Sequence, residues 1–263
     1  MNILEQIIDH NRTALAERKK VLPLEKIREQ KENFRHGKDF AAALRKPGLN
    51  IIAELKKASP SKGLIRENFD YENICVDYER NGAAALSVLT EQFYFQGSPD
   101  YLKTISGLVN IPLLRKDFIF DSYQIEEAVY LGADAILLIA AALDKPAFTE
   151  LYRTAEENRL DVLSEVHTMD ELEMALDCGA NIIGVNCRNL KTFATDLELM
   201  GRMLQAMPPE KIRVAESGLR NHDDLLKFAS QGANAFLIGE TFMRAEKPGD
   251  ELKKILGRAG GAE

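Results

Sequence analysis

The sequence contains no tryptophan and only three cysteines, Cys75, Cys178 and Cys187, among 263 residues. An odd, widely spaced set without a Cys-x-x-Cys pair argues against a disulfide framework or a cysteine zinc site, and for a reducing compartment. Histidine is nearly as scarce. His10, His36, His167 and His222 stand apart with no His-Glu-x-x-His pattern, so no metal centre is expected. Long apolar runs are missing too: the longest is the strand-like AILLIAAAL from Ala135, too short to span a bilayer. The N-terminal MNILEQIIDHNR carries acids where a signal peptide would carry its apolar stretch. Positive charge is in deficit, with 34 Lys and Arg against 41 Asp and Glu, a net −7. Neither nucleic acid nor an anionic membrane is therefore an expected partner, and the cytoplasm is the expected location. An anionic small molecule would need a local positive site.

What is present is ordinary globular material, 45% hydrophobic and 29% charged, and the length suits one large α/β barrel or two small domains. Residues 1–48 read as helices: Ile3, Ile7, Ala14 and Leu15 share a helical face, a second helical stretch follows Pro23, and Asp39–Leu44 suggests a short third. From Asn50 onward, eight short apolar runs alternate with amphipathic helical patterns. The runs are NIIAEL (50–55), ALSVL (85–89), IPLLRK (111–116), AILLI (135–139), DVLSEV (161–166), IIGVN (182–186), KIRVAE (211–216) and AFLIG (235–239). Their length, β-branched content and turn-rich flanks favour buried strands. Asp121, Thr168 and Asn221 are expected helix N-caps, and Pro99 after Ser98 suits a first helical turn.

An internal repeat sets the architecture. Gly82-Ala83, Gly132-Ala133, Gly179-Ala180 and Gly232-Ala233 precede the second, fourth, sixth and eighth runs, 50, 47 and 53 residues apart. A glycine at the helix C′ position frees the chain to turn left-handed into the next strand. Two βα units per period, repeated to eight strands, predict an α/β fold of the (β/α)8 TIM-barrel class with an N-terminal helical extension. The whole chain is expected to be one domain, 1–48 packed on a barrel of 49–263. A Rossmann-type sheet would want a Gly-x-Gly-x-x-Gly after its first strand, and none is present.

In such a barrel the chemistry belongs at the C-terminal strand ends. Those positions carry Glu54 and Lys56, then Lys116, Glu165, Asn186 with Arg188, Glu216-Ser217-Gly218, and Gly239-Glu240. Residues two apart on a strand share a face, so Glu54 and Lys56 should point the same way. Any one of them could be a solvated rim charge. Two lysines, three carboxylates and an asparagine together are costly to bury unless they neutralise one another or serve a ligand. They would also shift one another's pKa, as proton transfer requires. The loops AESGLRN and IGETFMR after the last two strands suit a phosphate site, with Glu240–Arg244 as the short extra helix. Lys56, or the Ser59–Gly63 segment folded over the mouth, would complete the positive charge. Phe93, Tyr94 and Phe95 suggest an aromatic wall, with core packing an equal rival. Cys187 reads as a passive wall residue, and His167 as a surface residue near the next helix cap.

Together, IIAELKKASPSKG, LTEQFYFQGS, IPLLRKDFI, LSEVH, IGVNCRNL, VAESGL and AFLIGE resemble the indole-3-glycerol phosphate synthase family, from about Asn50 to Arg244. The resemblance implies ring closure of 1-(2-carboxyphenylamino)-1-deoxyribulose 5-phosphate to indole-3-glycerol phosphate, carbon dioxide and water, with no metal or organic cofactor. It implies Lys116 as general acid, Glu165 as general acid or base, Lys56 and Glu54 in dehydration, and Asn186 and Glu216 as orienting groups. It also places Ser59, Arg188, Ser217, Gly218, Leu237, Gly239 and Glu240 around the substrate, the phosphate above all, with Phe95 and Phe118 on the anthranilate ring. The Glu240 carboxylate is expected to point away from the phosphate. A monomer or weak homodimer is expected. Two other classes stay open: a Schiff-base aldolase using Lys116, and a non-catalytic metabolite-binding barrel. A phosphoribosyl isomerase would want a cysteine/aspartate or paired-aspartate site, which these strand ends do not offer.

Overall fold

In the computed structural model, which describes residues 2–30, 37–188 and 195–258, the eight runs form a closed parallel barrel. Its strands are β1 (Asn50–Leu55), β4 (Ala85–Leu89), β5 (Leu113–Lys116), β6 (Ala135–Ile139), β7 (Asp161–Val166), β8 (Ile182–Asn186), β9 (Ile212–Glu216) and β10 (Ala235–Ile238). Each pairs with the next, and β1 closes the ring against β10, Asn50 lying opposite Ala235. The third strand starts at Leu113 and not at Ile111, because Pro112 has no N–H to offer the ladder, although its carbonyl accepts from Leu86. The Ser59–Gly63 segment folds back as a small antiparallel hairpin, β2 (Ala58–Ser59) against β3 (Gly63–Leu64).

The helices that connect the strands are α4 (Tyr71–Arg80), α5 (Pro99–Ser106), α6 (Ser122–Tyr130), α7 (Lys145–Glu157), α8 (Met169–Asp177), α9 (Leu197–Ala206) and α10 (His222–Ser230). After β10 come α11 (Glu240–Arg244) and α12 (Pro248–Ile255). Asp121, Thr168 and Asn221 cap α6, α8 and α10 as expected, each accepting a first-turn N–H. Ser98 caps α5 ahead of Pro99. The four Gly-Ala glycines all take the left-handed conformation, with φ of 94°, 84°, 83° and 100°, so the repeat is a repeated helix exit.

Strand alternation divides the barrel cleanly. Ile52, Ala85, Leu114, Ala135, Leu137, Leu163, Ile182, Ile212, Val214, Ala235 and Leu237 fill the interior. Their neighbours, such as Ile51, Leu86, Leu113, Ile136, Ile183 and Phe236, face the helices in a separate cluster. Ahead of the barrel lie α1 (Ile3–Val21), α2 (Leu24–Glu29) and α3 (Phe40–Leu44). Phe40 and Leu44 of α3 join the interior cluster and plug the N-terminal mouth. Among the described residues, no helix is long and apolar enough to cross a membrane.

Candidate active site

At the other mouth lies a cleft of about 870 Å³. All fifteen residues singled out from the sequence line it: Glu54, Lys56, Ser59, Phe95, Lys116, Phe118, Glu165, Asn186, Arg188, Glu216, Ser217, Gly218, Leu237, Gly239 and Glu240. Alternation explains the convergence. Four inward stacks that begin with an apolar residue end with a charged one: Ile52 then Glu54, Leu114 then Lys116, Leu163 then Glu165, Val214 then Glu216.

The charges form two linked groups. Lys56 lies 2.6 Å from Glu54, and Lys116 donates to Glu165 at 3.1 Å and to Glu216 at 2.8 Å. Burial works against the ammonium of Lys116, but Glu216, Glu165 and Glu54 outweigh it and raise its pKa. Lys116 is therefore charged at neutral pH. The same lysine serves its two carboxylates unequally. Burial pushes both upward, yet Lys116, His167 and a hydrogen bond with Asn186 hold Glu165 down to about 2. For Glu216, burial and the repulsion of Glu165 outweigh the pull of Lys116, and its pKa rises to about 7. Its Oε1 is buried with no hydrogen-bond partner among the described residues. That oxygen occupies the space a Cβ on Gly184 would take, so glycine on β8 is what lets Glu216 lie inward.

The other end of the cleft gathers cations. The Glu240 carboxylate is 3.0 Å from Arg244, 3.6 Å from Arg188 and 3.9 Å from Lys62. Three cations sharing one pocket draw it in, and they lower its pKa against burial. Lys62 of the hairpin, and not Lys56, supplies the extra positive charge there, since Lys56 is paired with Glu54. The loop after β9 is set by Asn186, whose Oδ1 accepts from Ser217 Oγ at 2.9 Å and from the Arg188 N–H. Ser217 and Gly218 both take positive φ, 69° and 76°. For serine that is a strained conformation, kept here beside the cleft. α11 begins at Gly239 with no side chain capping it among the described residues, which leaves its first amides to an anion.

Other expectations need adjusting. Phe95 faces the cleft, with its ring centroid 5.9 Å from that of Phe118, but Phe93 and Tyr94 turn away to pack on His10 of α1. The Glu91 carboxylate accepts the N–H groups of Phe93, Tyr94 and Phe95, and the tight turn that results splits the three rings. Cys187 is buried, its thiol pushed up to about 12 chiefly by burial, which suits a wall residue and not a nucleophile. His167 is not on the surface: its side chain is 10% exposed and lines the cleft beside Glu165. The signal was in the sequence, since His167 follows Glu165 by two, as Lys56 follows Glu54. Sequence reasoning also missed Ile3, Leu4 and Ile7 of α1, which roof the cleft. His36, and Asn189 and Leu190 of the quoted IGVNCRNL segment, lie outside the described residues.

The chain is similar to known proteins over nearly its full length. A family described as indole-3-glycerol phosphate synthase matches residues 4–255. The chain is 48% identical to the indole-3-glycerol phosphate synthase of Campylobacter fetus over 97% of its own length and 99% of the relative's. It is 44% identical to that of Alkaliphilus metalliredigens, covering 96% and 97%. Among solved structures, a 3-hexulose-6-phosphate synthase from Salmonella typhimurium superimposes with a TM-score of 0.64 at 13% identity, over 80% of this chain and 97% of that one, a likeness of fold alone. With its sequence matched almost end to end, the chain belongs to the indole-3-glycerol phosphate synthase family.

Proposed function

We propose that the cleft closes the indole ring of 1-(2-carboxyphenylamino)-1-deoxyribulose 5-phosphate, and that Lys116 is its general acid. The observation that carries this is the placement of a charged lysine between two carboxylates, with an apolar end on one side and a cation cluster on the other. Phe95, Phe118 and Leu237 would receive the aromatic ring, roofed by Ile3, Leu4 and Ile7. Arg188, Lys62 and Arg244, with the backbone at Ser217, Gly218 and Gly239, would receive the phosphate, and Ser59 would line the path between. The ring carbon that bears the carboxylate attacks the carbonyl carbon, and Lys116 protonates the carbonyl oxygen as the C–C bond forms. Carbon dioxide then leaves. Glu165, ionised at rest, takes the proton that the substrate carbon gives up as the new ring double bond forms, while Lys56, steadied by Glu54, protonates the new hydroxyl so that it departs as water. Asn186 and Glu216 orient the lysine and the loop.

The charge state of Lys116 favours this over an aldolase-like imine, which needs a neutral amine. Lys116→Met is expected to lower kcat by about 100-fold or more with substrate still bound, whereas Arg188→Ala should act mainly on KM. Near-wild-type turnover in the first variant, or an effect confined to kcat in the second, would contradict the roles. We further propose a single-domain enzyme of the cytoplasm, monomeric or weakly dimeric, without nucleic-acid or membrane partners; the acidic net charge and three free thiols support this.

A further inference from the structure

The proposed reaction does not balance without a proton from solvent. The substrate enters with an ionised carboxylate and loses it as neutral carbon dioxide. The carbonyl oxygen leaves as water and needs two protons for this. The substrate carbon that becomes part of the new ring double bond releases one. The other enters from solvent, and the one released, taken by Glu165, must leave that carboxylate before it can serve the next turnover.

One side chain lies where such a path would run. The imidazole of His167 sits between two carboxylates, with Nε2 3.4 Å from Glu165 Oε1 and Nδ1 3.5 Å from Glu171 Oε2. Neither ring nitrogen has a hydrogen-bond partner among the described residues. Exposure rises along the row, from 6% for the Glu165 side chain to 10% for His167 and 20% for Glu171. The inner end is aimed at the chemistry, since the other oxygen of Glu165 accepts from Lys116. The outer end is fixed, because Glu171 Oε2 accepts the His167 backbone N–H at 2.7 Å, and its own N–H is held by the α8 cap Thr168. A purely structural role would ask only that Glu171 close the helix cap. It would not ask for a ring with both nitrogens turned to carboxylates.

We propose that Glu171 and His167 form a proton relay that discharges Glu165 to solvent once per turnover, an inference that rests on the ring-closing reading above. His167 is a positioning and relay residue and does not touch the reacting atoms. Glu165 passes the proton it has taken from the substrate to Nε2, and the proton on Nδ1 leaves through Glu171 to water. The charged groups around the ring are Glu165 on its own strand, Glu171 from α8 and Glu216 from β9, with Lys116 of β5 beyond Glu165. Burial disfavours a charged ring, but these carboxylates outweigh it and raise its pKa, so the ring can carry the proton near neutrality.

The test is steady-state kinetics of indole formation by the full chain in H2O and D2O. For His167→Gln, kcat is expected to fall about 10-fold or more with KM within about threefold, as for loss of one proton-transfer group. The solvent isotope effect on kcat should rise, and added imidazole should restore part of the rate. Glu171→Gln, at a more exposed site less prone to misfolding, should show the same changes to a smaller degree. Wild-type kcat in both variants across the neutral range would overturn the relay, and so would a loss with unchanged isotope effect and no imidazole rescue. If the wild-type chain itself forms no indole product, the ring-closing reading fails instead.

Discussion

Glu165 and Glu216 share one lysine, yet they sit on opposite sides of the ordinary carboxylate value, and the difference has consequences for stability as well as for catalysis. A carboxylate raised in the folded state stabilises the fold below its unfolded pKa, near 4.5, and that contribution is lost as pH rises through the folded value of about 7. Glu165 works the other way. Its contribution is complete above 4.5 and is lost as pH falls through about 2. Glu216→Gln keeps a polar, neutral group facing Gly184 and accepts from Lys116 through its amide oxygen. It is therefore expected to remove a decline in unfolding free energy of a few kcal/mol, in order of magnitude, between about pH 4.5 and 7. Urea denaturation across that range checks this. A variant with the wild-type slope would show that Glu216 does not titrate there. The identities of these residues were legible in the sequence through strand alternation. Their unequal protonation was not, because it depends on which carboxylate Asn186 and His167 also reach.

At the scale of elements, the outward face of β5 anchors the strand that presents Lys116. Arg115 is fully buried and bonds to Asp117, Glu127, Thr90 Oγ1 and the Gln124 carbonyl. Glu127 of α6 in turn takes a bond from Arg18 of α1 at 3.1 Å, so the N-terminal helix is joined by a chain of ion pairs to the residues flanking Lys116. Glu127→Ala would leave part of the Arg115 charge uncompensated in the interior, at an expected cost of about 3–5 kcal/mol. Arg18→Ala removes the more exposed end and should cost less than about 1 kcal/mol. Thermal and chemical denaturation would measure both, and equal costs would mean that Arg115 is not the group that matters. None of this network was read from the sequence. An arginine between Leu114 and Lys116 looks like one more rim charge until the helix opposite is known. The roof of Ile3, Leu4 and Ile7 escaped for a related reason: the apolar face of α1 was visible, but not what it faces.

For the whole molecule, the order and number of the barrel strands followed from periodicity and from the Gly-Ala repeat, because a helix exit before every second strand is a local backbone requirement with a fixed residue signature. The position of the cleft followed from the barrel, and its lining followed from alternation. The hairpin that brings Lys62 to Glu240, and the inward turn of Glu240 itself, depend on contacts between segments far apart in the chain. The account as a whole stands on one claim, that this barrel closes an indole ring by acid–base chemistry centred on Lys116. The most direct measurement supplies the purified chain with 1-(2-carboxyphenylamino)-1-deoxyribulose 5-phosphate and follows the indole chromophore. Stoichiometric appearance of the indole product with carbon dioxide is the predicted result. Substrate that binds and returns unchanged, or a lysine adduct trapped by borohydride in place of the indole, would contradict it.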